Sequence, residues 1–165
     1  MLDSRTRRKK LIGFLFLFVL FLVLEYFLFY LLSPEFANFQ QETTAKCLYF
    51  LLTVLGLPVS RIGNIVRIGS VSLRVVYECT GGFAFFIFSS ATLAFPTIWA
   101  RRLVAQVIGL VSIFLLNSIR LVFIGLVAYK SPATFDFIHK YLWQVTFPVI
   151  VVLLFILWAR KSQVE

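Results

Sequence analysis

Long apolar runs alternate with short basic patches along this chain, and the length of the runs is that of a bilayer crossing. At 1.5 Å rise per residue, about 20 apolar residues span the hydrocarbon core. Four stretches meet or approach that length: 11–32, 81–98, 103–129 and 141–158. A shorter run, 43–57, holds Lys46 and Cys47 and ends at Gly56 and Pro58. It is short for a span and would upset the charge alternation described below, so it predicts an interfacial or re-entrant helix. From 64 to 77 the period changes. Arg67 and Ile68, then Gly69 and Ser70, then Val71 to Tyr77 predict two short strands around a turn. An open sheet edge cannot lie in hydrocarbon, so this hairpin belongs at the membrane surface or under a cover of protein. The pattern predicts an all-α integral membrane protein with four main transmembrane helices, an interfacial or re-entrant helix and a small outer β-hairpin. No internal repeat or low-complexity linker divides it, so 1–165 is read as one domain.

Composition excludes the soluble alternative. Of 165 residues 61% are hydrophobic and 20 are phenylalanine, too apolar for a surface facing water. Lys and Arg outnumber Asp and Glu, 16 to 7, for a net charge of +9. Much of that excess caps the apolar runs: Arg5, Arg7, Arg8, Lys9 and Lys10, then Arg101 and Arg102, then Arg160 and Lys161. With alternating spans these three clusters fall on one side, which the positive-inside rule makes cytoplasmic. Both termini are then cytoplasmic in a multi-pass protein of the cytoplasmic (inner) membrane, and 33–80 forms one large outer segment. The charge orients helices, so no nucleic-acid partner is expected. The first apolar run is longer than a signal-peptide core, and Ser33, Pro34 and Glu35 follow it without a small-residue cleavage site, which predicts a retained anchor. Arg61, Arg67 and Arg74 lie outside against this rule; they face lipid headgroups, an acidic substrate segment or nothing in particular.

Two cysteines and one histidine leave no ligand set for a structural zinc, and no cofactor is implied. Cys47, among Leu48, Tyr49 and Phe50, reads as a small inert hydrophobe. Cys79 stands where the hairpin ends and the second span begins. If Thr80, Gly81 and Gly82 open that helix, its unpaired amides and dipole favour a thiolate and an adjacent oxyanion. Arg120 lies about 25 Å along the third span from Leu103, in the outer part of the membrane, where a charge is costly and usually functional. Asn117 shares its helix face and can orient it or a substrate amide. Glu25, about 21 Å from Leu11 on the first span, is at a similar depth, so a Glu25–Arg120 ion pair is expected as a structural tie. His139 precedes the last span and can exchange protons near neutrality. Cys79, Arg120 and His139 thus meet at one outer rim, with Glu78 and Asp136 as candidate orienters. The chemistry of these types is acyl transfer: a thiolate attacks a peptide carbonyl, arginine stabilises the oxyanion and histidine protonates the leaving amine. A non-catalytic membrane scaffold or assembly protein, using Arg120 and Glu25 structurally and leaving Cys79 indifferent, is one alternative; a small transporter subunit, in which the buried pair lines a path, is another.

At these residues the chain resembles the exosortase and archaeosortase family of membrane cysteine transpeptidases. The resemblance is carried by Glu78, Cys79, Thr80, Gly81 and Gly82 at a helix start, by Asn117, Ser118, Ile119 and Arg120 in a later helix, and by His139 before the last span. It covers roughly 58–158, and the short chain is most similar to the compact exosortase H type. Threonine replaces the usual serine after the cysteine and keeps the hydroxyl. The resemblance implies catalysis by Cys79, Arg120 and His139. It also implies substrate proteins that are secreted and end in a sorting signal: a recognition motif, a transmembrane helix and a basic end. Cleavage would fall at the outer membrane face, with transfer to an acceptor such as a membrane lipid or a glycan.

Overall fold

In the computed structural model, residues 4–32, 34–138 and 143–164 are described. Helix α1 spans Ser4–Leu32 and α2 spans Glu35–Val54. Three strands follow, β1 Val59–Ile62, β2 Ile65–Ile68 and β3 Val71–Arg74, and then a 3₁₀ turn at Tyr77–Cys79. The rest is helical: α3 Gly82–Ala94, α4 Trp99–Lys130, the short α5 Pro132–Phe137 and α6 Trp143–Val164.

Among the described residues three helices are long and apolar enough to cross a membrane, within Arg8–Phe29, Trp99–Lys130 and Val145–Ser162. They expose large apolar side chains outward, among them Leu20, Leu24, Val107, Leu115 and Leu153. The expected second span is shorter than its apolar run, because α3 has only 13 residues. Pro96 restricts the residue before it to extended backbone, and Phe95 caps the helix with φ −70° and ψ 133°.

The outer segment also departs from expectation. The predicted interfacial helix begins earlier, at Glu35, and buries Thr44, Ala45, Leu48 and Leu52 along one stripe. The expected hairpin is a three-stranded antiparallel sheet, ordered β1-β2-β3. The added strand β1 is joined to β2 by Gly63 and Asn64, a two-residue pair suited to a tight hairpin, and it pairs Ile62 with Ile65. Gly69, with φ +57°, makes the second turn, and a Cβ there would sit 2.9 Å from the Tyr129 ring. One sheet face packs through Val66 and Ile68 into a core with Ala45, Leu48, Leu52, Val75, Cys79 and Leu121. A second core joins α3, α4 and α6 through Ala84, Phe88, Ile113, Phe147 and Val151.

The Arg101 guanidinium donates to the Ser162 carbonyl at 2.8 Å, and Phe14 stacks on Phe155. The start of α1, the start of α4 and the end of α6 therefore share one end of the bundle. The sheet, which packs near Gly125 and Tyr129 of α4, lies toward the other.

Candidate active site

Cys79 closes the 3₁₀ turn, where its N–H donates to the Val76 carbonyl at 2.9 Å. The Thr80 hydroxyl locks the next step: it donates to Tyr77 O at 2.8 Å and accepts from the Gly82 N–H at 3.2 Å. Gly81 then turns the chain into α3 with φ +82°, a left-handed conformation that L side chains rarely adopt. A Cβ at Gly81 would also meet Asn117 at 3.4 Å. Thr80 and Gly81, expected beside the substrate, thus also build the turn that holds the thiol.

Asn117, 1% exposed, bridges the two halves of the site. Its Nδ2 donates to the Cys79 carbonyl at 2.8 Å, and its Oδ1 accepts from Arg120 Nη1 at 3.2 Å. The Arg120 guanidinium is buried, stands 5.3 Å from the Phe147 ring centroid and lies within electrostatic reach of Cys79. Its buried Nε has no partner among the described residues. Cys79, only 7% exposed, opens on a cavity of about 220 Å³ formed by Ser72, Leu73, Arg74, Val75 and Val76 with Leu48, Leu121, Ile124 and Phe135.

A family model described as transmembrane exosortase matches residues 5–156. The chain belongs to the transmembrane exosortase family. Comparison with curated proteins and with solved structures gives no match. The exosortase match takes in α1 as well as the helices that carry Cys79 and Arg120, and so reaches further toward the N-terminus than the sequence motifs do.

One expectation about this exosortase is corrected. Glu25 does not pair with Arg120; its carboxylate accepts from Ser89 Oγ at 2.6 Å and from Ser90 Oγ at 3.1 Å. Helix α1 packs chiefly on α3, so the nearest donors to Glu25 are the α3 hydroxyls, and Arg120 turns to Asn117 instead. Depth along two helices said nothing about the third helix beside them. Gln106 extends the polar contacts on α3, donating to Thr92 Oγ1 at 2.8 Å.

His139 lies outside the described residues, as does the Asp136 side chain; α5, which carries the Asp136 backbone, brings Phe135 to the wall of the Cys79 cavity. Glu78 is exposed beside Tyr77, whose phenol is pushed up to about 12 by burial and by the Glu78 carboxylate. Sequence reasoning missed Tyr77. Its ring stacks on Phe29 of α1 with centroids 4.5 Å apart, and its buried hydroxyl has no partner among the described residues. Cys47 is half-buried, its sulfur 3.6 Å from Ser118 Oγ, and both cysteines are free thiols.

A larger groove of about 650 Å³ lies on the other side of the turn, lined by Thr80, Gly81 and Gly82 together with Phe36, Phe39 and Gln40 of α2, Phe85 and Phe86 of α3 and Leu110, Val111, Ile113, Phe114 and Leu115 of α4. Its walls are almost wholly apolar. The Cys79–Gly82 turn thus separates a small cavity at the sheet from a long groove between helices.

Proposed function

We propose that this protein is a membrane-embedded cysteine peptidase or transpeptidase that cleaves the C-terminal sorting tail of secreted proteins at the outer face of the cytoplasmic membrane. The observation that carries the reading is the Cys79–Asn117–Arg120 chain, in which one buried amide ties the Cys79 backbone to a cation whose Nε has no partner among the described residues. A buried charge held this way is costly, and catalysis is what repays it.

The Cys79 thiolate attacks the carbonyl carbon of the scissile peptide, and the carbonyl oxygen becomes an oxyanion facing Arg120. When the C–N bond breaks, the departing amine takes a proton from His139 and a thioester remains on Cys79. Water, or the hydroxyl or amine of a lipid or glycan acceptor, then attacks the thioester and the thiol leaves. Asn117 is a positioning residue. Glu78 and Asp136 orient the protonating side, and the groove beside Thr80 and Gly81 takes the apolar helix of the tail.

The direct test replaces Cys79 with Ala in cells and follows a candidate secreted substrate. Its uncleaved form should accumulate while the variant stays in the membrane at normal abundance. Unchanged processing would remove the nucleophile, and capture of a thioester on Cys79 would establish it.

A further inference from the structure

Five consecutive positions, Ser72 to Val76, line the cavity on which Cys79 opens; Ser72 to Arg74 belong to the edge strand β3, and Val75 and Val76 carry the chain on from it. Among the described residues β3 pairs with β2 alone. The Val75 N–H donates to the Asn64 carbonyl at 2.9 Å. Antiparallel ladders alternate bonded and non-bonded pairs, so Val71 and Leu73 also bond to β2. The N–H and C=O groups of Ser72 and Arg74 therefore point the other way. A row of such groups is a template for another strand.

Three features name the occupant. The edge runs through Val76 directly into the turn that ends at Cys79. Arg74 is exposed on the cavity rim and has no hydrogen-bonded or ionic partner among the described residues. Leu121, Ile124 and Phe135 give the cavity an apolar wall for side chains of alternate positions.

We propose that an extended peptide, the recognition segment of the substrate, adds to the free edge of β3 as a fourth strand, with an acidic side chain against Arg74 and its scissile carbonyl delivered to Cys79. Main-chain bonds hold the peptide and the side-chain contacts select it, the division of labour of strand addition. The inference rests on the reading of Cys79 as nucleophile. It puts the recognition segment and the apolar helix of the tail on opposite sides of the Cys79–Gly82 turn.

The test uses the full chain in detergent and capped tetrapeptide chloromethyl ketones of alanine, with one glutamate moved along the series. Alkylation of Cys79, in which the thiolate displaces chloride, is followed by mass spectrometry and compared with iodoacetamide, which needs no strand. Ser72→Pro removes an outward N–H and should slow the peptide reagents about tenfold, with iodoacetamide unaffected. With the native chain, N-methyl groups on one alternate set of peptide amides should slow labelling about tenfold and on the other set leave it unchanged. Arg74→Glu should exchange a preference for glutamate for one for lysine.

Equal peptide rates in Ser72→Pro and the native chain, or in the two methylated sets, overturn strand addition while Cys79 remains a nucleophile. No glutamate preference overturns the role of Arg74. A Cys79 inert even to iodoacetamide overturns the proposed function, and this inference with it.

Discussion

The side-chain amide of Asn117 donates to the backbone carbonyl of Cys79 at 2.8 Å, joining the turn before α3 to the middle of α4. The same amide accepts from Arg120, so one buried side chain satisfies groups on both partners of the site. Replacing it with Ala leaves a carbonyl and a guanidinium short of partners, at about 1–3 kcal/mol for each group. Asn117→Ala should therefore lower the unfolding midpoint in detergent and abolish processing together. Full processing in a stable variant would show that the bridge is dispensable.

Arg120 offers a sharper division between charge and shape. Lysine keeps the charge but lacks the planar fork that reaches Asn117 while leaving Nε free. Arg120→Lys should retain membrane abundance and lose about 10²–10³-fold in cleavage rate, the scale of losing an oxyanion donor. Equal rates would assign Arg120 a structural task alone.

The Glu25 carboxylate makes its described bonds to Ser89 and Ser90, so its stability effect should be read from α3. Glu25→Ala and the paired Ser89→Ala, Ser90→Ala change should each lower thermal stability, and combining them should fall short of the sum by about 0.5–3 kcal/mol. A fully additive result would mean that the carboxylate is held elsewhere.

Tyr77 predicts an alkaline effect. Its folded value of about 12 lies above the ordinary 10.0, so the unfolded chain ionises first as pH rises. The folded protein then binds more protons, and stability falls between those two values. Tyr77→Phe should flatten that fall and be close to neutral at pH 7, because the buried hydroxyl has no described partner to lose. Thermal unfolding across pH checks both, and an unchanged alkaline slope in the variant would assign the effect to another group.

Apolar run length and flanking charge made α1, α4 and α6 legible, because bilayer thickness acts on sequence directly. It misjudged α3, where Pro96 cuts the helix before the apolar run ends. β1 was missed although Gly63 and Asn64 mark its turn; Pro58 and Arg61 obscured a strand of four residues. Of the candidate site residues, Cys79, Asn117 and Arg120 were readable as types in order, and the structure joins them through Asn117. Partner choice was not. Helical depth placed Glu25 near Arg120, whereas lateral packing gave it to two serines that nothing in a linear pattern distinguishes from ordinary helix residues.

Helix α3 has 13 residues, so it reaches about 20 Å, well short of a hydrocarbon core of about 30 Å. A bilayer meeting so short a helix dimples toward it. Such a dimple over α3 would draw water and headgroups toward the level of the Gly81 turn. Under the proposed function, such a thin patch would bring Cys79, packed among apolar side chains, next to the aqueous boundary that supplies the second reactant.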